Sequence, residues 1–161
     1  MKQRKLRKSD LALPLDETEE ILEGGKTGLL GLNGLDGYPY VVPVNYALAD
    51  NRIIIHSAAK GYAQDCISAD SRASFTVFNI FEIQETTTNY ESAMYFGKVE
   101  IVTAKEQKAA FMKQIASKFK GQPVDQLPPG IIDRITVIIL TPEEFSGKRK
   151  QGLTHKKPHL I

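Results

Sequence analysis

The feature that most restricts the fold is the run Arg52-Ile53-Ile54-Ile55-His56-Ser57, which has no consistently polar face. β-Branched residues favour extended backbone, and successive side chains of a strand point to opposite faces. Both faces of this strand are therefore apolar, and both must be buried. An open sheet with one face in water cannot bury them, so the run predicts a closed sheet or a second layer.

The segments before this run have the spacing of antiparallel strands. Residues 28–32 and 38–46 flank an Asp36-Gly37 turn, and a second turn at Asp50-Asn51 leads into the isoleucine run. Asp-Gly is favoured in tight hairpins because both central residues can adopt positive φ. Pro39 and Pro43 cannot donate ladder hydrogen bonds, so their strand must have an unpaired side, a bulge or an edge there.

Three helices are predicted from capping signals and apolar spacing. Asp16-Glu17-Thr18-Glu19 provides an N-cap and Gly24-Gly25 a stop, residues 61–69 fit a second helix, and Thr103-Ala104-Lys105-Glu106 is a capping box for a third. In the second helix Cys66 is expected to be a small buried core residue. The apolar stripe of the third helix predicts core packing; its members are Phe111, Met112, Ile115 and Phe119.

Three further strands complete the pattern. Residues 73–79 and 93–103 alternate as strands, and residues 131–140 form the last one, which is expected to end at Thr141-Pro142-Glu143. Six strands with tight early turns, together with the helices, predict a mainly β fold. We expect a six-stranded antiparallel β-barrel with peripheral helices.

Length and composition predict one domain. A chain of 161 residues can bury about two-thirds of its unfolded surface, so residues 1–161 are treated as a single unit. Cys66, the one cysteine, cannot form an intramolecular disulfide. No apolar segment suits a signal peptide or a membrane span. These features predict a soluble, cytoplasmic protein with no membrane partner.

Positive charge is concentrated at two expected basic tails, residues 1–8 and 148–161. They hold ten of the 21 Lys and Arg residues, whereas all 19 Asp and Glu residues lie between them. Three interpretations stay open: solvated tails, a contact with a cofactor phosphate, and a contact with nucleic acid. Nucleic acid is the least favoured partner, because no recognition motif accompanies the charge and the acidic body would repel a phosphate backbone.

Motifs of the common catalytic classes are missing from the sequence. It contains no CxxC, HExxH, P-loop, GxGxxG or GxSxG, and no clustered metal ligands, so no metal site is predicted. One polar segment follows the isoleucine run, His56-Ser57-Ala58-Ala59-Lys60-Gly61-Tyr62. A helix N-terminus, a hydroxyl and an ammonium group together suit a phosphate. An ordinary strand-to-helix turn explains the same residues, and both interpretations stay open.

The order of the segments resembles that of a known family. Five stretches carry the likeness: GLLGL (28–32), DGYPYVVPVNY (36–46), RIIIHSAAKG (52–61), YESAMYFGKVEIV (90–102) and VIILTPEEFSGKR (137–149). They resemble the small FMN-binding split β-barrels of the pyridoxamine 5'-phosphate oxidase-like superfamily, which include the nitroimidazole-resistance proteins. The resemblance covers about residues 7–149. It implies FMN, with FAD as the alternative, at the interface of a homodimer.

The resemblance also implies which residues bind the cofactor. The backbone of Val42, Pro43, Val44 and Asn45 would line the flavin ring, and His56, Ser57 and Lys60, with Ala58 and Tyr62 in the same turn, would hold the ribityl phosphate. Tyr90 and Ser92 correspond to a polar pair that can face the cofactor. For Pro43 and Asn45 an edge bulge is the alternative.

Two adjacent positions depart from the family pattern. Members commonly carry Lys or Arg where this chain has Ala63, and an apolar residue where it has Gln64. A charge-assisted contact to phosphate contributes about 1.5–3 kcal/mol. Lys60, or a basic tail of the partner subunit, can compensate for the missing charge; the alternative is a site that holds flavin weakly or prefers another ligand.

Three functions are consistent with these features. In the first, an FMN-dependent oxidoreductase passes electrons from a reduced nicotinamide to a small acceptor, with nitroaromatics as candidates. No catalytic residue is assigned, because the flavin supplies the redox chemistry. The second is a non-catalytic carrier or sensor of flavin or another small ligand. The third is a nucleic-acid-associated module that acts through the basic ends.

Overall fold

The computed structural model of the protein describes residues 1–83 and 85–150. In chain order, its elements are β1 (Lys2–Gln3), β2 (Ala12–Leu13), α1 (Leu15–Gly24), β3 (Thr27–Asn33), β4 (Pro39–Ala49), β5 (Arg52–Ala58), α2 (Tyr62–Ala69), β6 (Arg72–Ile83), β7 (Thr88–Val102), α3 (Lys105–Lys120), α4 (Ile131–Arg134) and β8 (Ile135–Lys150).

The six long strands close into a barrel. Their order is β8-β5-β4-β3-β6-β7, and β7 pairs back onto β8. All these neighbours are antiparallel, which confirms the predicted barrel. The two-residue strands β1 and β2 were not predicted; both pair with β8, and β1 does so in parallel.

The isoleucine run is buried on both faces, as its sequence predicts. Ile53 and Ile55 lie in the core inside the barrel, and Ile54 lies on the outside of the sheet beneath α3. None of the three is more than 1% exposed. The strand therefore belongs to two hydrophobic clusters. Closure of the barrel buries one face, and helix α3 buries the other.

Helices α1 and α2 pack against the core inside the barrel. Thr18, Ile21 and Leu22 are the buried face of α1, and the buried Tyr46 hydroxyl donates a hydrogen bond to the Leu22 carbonyl. On α2, the residues that enter the same core are Ala63, Cys66 and Ile67. Cys66 is fully buried, which confirms the expectation of a core residue.

Gly28 shows how closely the core is packed. Phe75 is fully buried and meets the Tyr46 ring edge-on, with centroids 4.9 Å apart. A Cβ at Gly28 would lie 2.2 Å from the Phe75 ring. β3 can cross this aromatic pair only because position 28 has no side chain.

The last strand differs from its prediction. Residues 131–134 are helical, after Pro128-Pro129 and Gly130 with a φ of 70°, and the strand begins at Ile135. It passes through Pro142 to Lys150 instead of ending there. The pairing with β7 shifts register at this point, since Phe96 pairs with Glu144 and Gly97 with Pro142. Proline is tolerated in a strand at such a bulge.

Both predicted side-chain N-caps are wrong. α1 begins at Leu15 with Pro14 at the N-cap, and the Thr18 hydroxyl donates to the Pro14 carbonyl. α3 begins after Ala104 rather than being capped by Thr103. The two predicted turns differ in backbone conformation. Asp50 and Asn51 both have positive φ, whereas in the Asp36-Gly37 turn only Gly37 has positive φ.

The basic ends are not simply solvated tails. Lys2 and Gln3 form β1, and Arg4 forms an ion pair with Glu144. At the other end Lys148, Arg149 and Lys150 belong to β8. Arg149 bridges Glu17, at 2.6 Å, and Glu91, at 2.9 Å. Residues 151–161 of the expected C-terminal tail lie outside the described residues.

Candidate functional site

Strands β4 and β5 separate from each other at one point of the barrel, and the two main candidate segments lie on either side of it. Their pairing runs from Ala49 with Arg52 to Tyr46 with Ile55. Beyond that pair β4 continues along β3, and β5 continues along β8. Asn45 and His56 are therefore the first residues on the two sides of the opening, which we call the fork.

The far end of the fork is bounded by Tyr62. Its ring meets the Tyr40 ring edge-on, with centroids 5.1 Å apart. Its hydroxyl accepts a hydrogen bond from the Leu35 amide, at 2.8 Å, and donates one to Asp36 Oδ1, at 3.2 Å. These contacts hold the start of α2 against the β3–β4 turn, so residues 56–62 follow β4 from one end of the fork to the other.

The β4 side of the fork is an unpaired strand edge. Residues 39–45 pair with β3 without a register break, so both prolines lie at an edge and not at a bulge. Val42 and Val44 pack their side chains against the core, whereas Pro43 and Asn45 are exposed on the other face. A ligand in the fork would meet a strand edge interrupted by Pro43, which has no N–H to donate.

The turn on the other side presents hydrogen-bond donors. His56 and Ser57 are half-buried, and Ala58, Lys60 and Tyr62 are exposed. Burial lowers the pKa of His56 below its usual value of 6.5, so the imidazole is neutral near pH 7. Lys60 is then the cation of this turn. A hydroxyl, an ammonium group and main-chain N–H groups are a donor set that fits a phosphate.

Tyr90 and Ser92 lie elsewhere in the same subunit. Both are half-buried residues of β7. On the neighbouring strand β6, Tyr90 pairs with Ile80 and Ser92 pairs with Phe78. One row of paired residues, Pro43, Leu29, Thr76 and Met94, leads from β4 to β7. Three strand spacings amount to about 14 Å. A single subunit does not bring this pair to the fork.

The pair shares an apolar surface with β4, which we call the outer face. Its members are Val41, Pro43, Thr76, Phe78, Ile80, Ile83, Tyr90, Ser92, Met94 and Phe96, which alternate with the core residues of their strands. Four of them are more than half exposed: Val41 (57%), Phe78 (52%), Ile80 (53%) and Ile83 (74%). Large exposed apolar patches are typical of interaction surfaces.

A hollow of about 520 Å³ also opens on this side of the barrel. Pro39, Val41 and Phe96 line it together with charged residues, among them Arg4 and Arg72. The Arg4 guanidinium lies 3.5 Å from the centroid of the Phe96 ring. None of the sequence-predicted site residues is among the lining residues of this hollow.

Sequence patterns did not predict two polar residues behind the 56–62 turn. Gln64 Nε2 donates to the Ala58 carbonyl, at 2.7 Å, and lies 3.4 Å from Ser57 Oγ. Thr136 Oγ1 donates to the Ala59 carbonyl, at 3.1 Å, across 77 positions of sequence. Gln64 lies close enough in sequence to have been a candidate, but no local pattern connects Thr136 with this turn.

Residues 14–149 match the family model described as pyridoxamine 5'-phosphate oxidase. No curated protein matches the sequence.

Over the described residues, no helix has the length and apolarity required to cross a membrane.

Several solved structures share the fold. A protein described as a 5-nitroimidazole antibiotic resistance protein, from Bacteroides thetaiotaomicron, has a TM-score of 0.76 at 21% identity, with 86% of each chain covered. A conserved hypothetical protein from Mycobacterium tuberculosis has a TM-score of 0.78 at 21% identity, covering 99% of this chain and 98% of that chain. An FAD- and heme-binding protein from Mycobacterium smegmatis has a TM-score of 0.73 at 15% identity, covering 89% of this chain and 75% of that chain.

Proposed function

Because the chain belongs to the pyridoxamine 5'-phosphate oxidase family, we propose that it binds FMN at the fork and acts as a flavin-dependent oxidoreductase. The observation that carries the proposal is the divergence of β4 and β5 after the Tyr46–Ile55 pair. It leaves a strand edge on one side and a donor-rich turn on the other. A flavin mononucleotide needs both, since its ring is flat and its phosphate is anionic.

The residues of the fork fit the two parts of the cofactor. The edge at residues 42–45 offers main-chain groups and the Pro43 ring to an isoalloxazine. At the turn, Ser57 and Lys60 offer a hydroxyl and a charge to the phosphate, while neutral His56 contributes no charge near pH 7. The cofactor itself would supply electron transfer, which agrees with the lack of a catalytic motif in the sequence.

A homodimer is part of the proposal. The outer face carries exposed Val41, Phe78, Ile80 and Ile83 in addition to Tyr90 and Ser92. A second copy on this face would remove the apolar side chains from water. It would also provide a route by which Tyr90 and Ser92 of one subunit approach the fork of the other.

The electron donor is proposed to be a reduced nicotinamide and the acceptor a small molecule such as a nitroaromatic compound. One protein of similar fold is described as a 5-nitroimidazole antibiotic resistance protein, and another binds FAD and heme. FAD remains the alternative cofactor. We propose a cytoplasmic location, which suits a supply of reduced nicotinamide.

The test compares FMN with riboflavin, which lacks the phosphate. Lys60→Ala should weaken FMN binding about tenfold or more, because a charge-assisted contact is lost, and should change riboflavin binding little. Lys26→Ala, at an exposed lysine between α1 and β3, is the matched control and should change neither. Equal losses for both flavins would exclude a phosphate contact at Lys60.

A second assay separates an enzyme from a carrier. The flavin-loaded protein should oxidise NADH or NADPH, and a nitroaromatic acceptor should accelerate that oxidation. If flavin binds but no nicotinamide is oxidised under any of these conditions, the protein is a flavin carrier or sensor. If micromolar FMN and FAD both fail to bind, the flavin proposal itself is wrong.

A further inference from the structure

Two side chains hold the carbonyl groups of the 58–60 turn from behind. Gln64 Nε2 donates to the Ala58 carbonyl, at 2.7 Å, and Thr136 Oγ1 donates to the Ala59 carbonyl, at 3.1 Å. Gln64 is half-buried on α2, and Thr136 is only 7% exposed on β8. The turn is therefore attached at two successive peptide groups to two different elements.

These hydrogen bonds fix the direction of the next two amides. A trans peptide is planar, and its N–H points opposite to its C=O. The described residues contain no cis peptide bond. The Ala59 N–H therefore points away from Gln64, and the Lys60 N–H points away from Thr136. Each anchor therefore leaves one main-chain donor of the turn facing away from it.

We propose that Gln64 and Thr136 are positioning residues that hold the Ala59 and Lys60 N–H groups toward the cofactor phosphate. The inference rests on the proposed flavin site, because that proposal identifies the anion. Main-chain N–H groups that reach a common anion bind it together with a nearby charged side chain. The contact of Gln64 with Ser57 Oγ, at 3.4 Å, extends the same support to the hydroxyl of the turn.

This arrangement gives a role to Gln64, one of the two positions at which the chain departs from the family pattern. Gln64 supplies no positive charge, and Asp65, in the first turn of α2, is acidic. Orientation of neutral donors is then a means of binding phosphate that needs no added cation besides Lys60. Main-chain donors that are fixed before binding lose little entropy when the anion arrives.

The experiment removes each anchor and leaves Lys60 in place. Gln64→Met keeps a side chain of similar length without a donor, Thr136→Val removes the hydroxyl at nearly constant size, and Thr136→Ser restores it. We expect the first two variants to weaken FMN about five- to tenfold and riboflavin less than about twofold. Thr136→Ser should remain within about twofold of the wild type for both ligands.

A second readout does not need flavin. Titration of the ¹⁵N-labelled protein with inorganic phosphate should shift the amide resonances of Ala59 and Lys60, and Gln64→Met and Thr136→Val should abolish these shifts. Thermal unfolding shows whether each variant is folded. Folded variants that keep both the wild-type ratio of FMN to riboflavin affinity and the phosphate shifts would overturn the positioning role.

The two proposals fail in different ways. If the wild type binds neither flavin, the proposed function is wrong, and the phosphate titration alone decides the role of the anchors. Shifts of the Ala59 and Lys60 amide resonances that disappear in the variants would then support the positioning role of Gln64 and Thr136. If phosphate shifts neither amide in the wild type, the turn presents no anion site and the inference is wrong as well.

Discussion

Arg149→Met tests whether the basic C-terminal end is part of the folded structure. Arg149 joins Glu17 of α1 to Glu91 of β7, and Glu91 also accepts a hydrogen bond from Asn79, at 2.8 Å. Removing the guanidinium leaves Glu91 partly buried with no positive partner from β8. If Arg149 were a solvated tail residue, the same substitution would have almost no effect.

The two ion pairs contribute unequally. The Glu17 side chain is 41% exposed, so its pair with Arg149 should contribute no more than about 0.2–1 kcal/mol. The Glu91 side chain is 11% exposed, and breaking a buried pair costs about 3–5 kcal/mol when the remaining charge has no partner. The hydrogen bond from Asn79 lowers that cost. We expect a total loss of about 2–4 kcal/mol in the free energy of unfolding.

Urea-induced unfolding followed by circular dichroism measures this loss. For a domain of this size it corresponds to a fall of about 5–15 °C in the unfolding temperature. The neighbouring Lys148 is the matched control: its ammonium lies 5.1 Å from the Tyr90 ring, so Lys148→Met should cost less than about 1 kcal/mol. A loss below about 0.5 kcal/mol for Arg149→Met would refute the network as a stabilising feature.

Two further stability predictions concern the core. Lys118 Nζ is buried without a hydrogen-bond partner, 3.9 Å from the Tyr46 ring, and desolvation lowers its pKa from 10.5 to about 8. The unfolded chain therefore binds more protons than the folded one between about pH 8 and 10.5. Lys118→Met should stabilise the protein at pH 7 by about 1 kcal/mol, after allowance for the lost contact with Tyr46, and this gain should vanish toward pH 10. A gain that does not depend on pH would contradict the lowered pKa of Lys118. Gly28→Ala should destabilise the protein by about 1–3 kcal/mol, because the added Cβ would meet the Phe75 ring. Gly24→Ala, which has open space around it, is the control and should be neutral or stabilising in thermal unfolding. Equal effects of the two substitutions would show that the barrel adjusts at Gly28.

Local patterns predicted the parts of the fold that depend on neighbouring residues. The isoleucine run required burial on both faces. Pro39 and Pro43 required an unpaired side, a bulge or an edge, and the structure has an unpaired edge there, which forms one side of the fork. Tyr95 and Val99 face the core while Met94 and Phe96 face outward, as alternation along β7 predicts. These features need only a strand period and the hydrogen-bonding capacity of each residue.

Features that depend on distant partners could not be predicted. Pro142 suggested the end of a strand, but a register shift against Phe96 and Gly97 accommodates it and lets β8 continue. Arg149 reaches partners 58 and 132 positions away in sequence. The capping residues were misjudged by one or two positions: α1 has Pro14 and α3 has Ala104 at the N-cap, and helix ends are the part of a helix that local sequence determines least.

The most direct test of the proposed flavin site is a crystal structure of the full chain grown with saturating FMN. We predict density for the isoalloxazine along residues 42–45 and for the phosphate at residues 57–60, within hydrogen-bond distance of the Ala59 and Lys60 amides. FMN density at another surface, or a clear fork with no density at saturating FMN, would contradict the account.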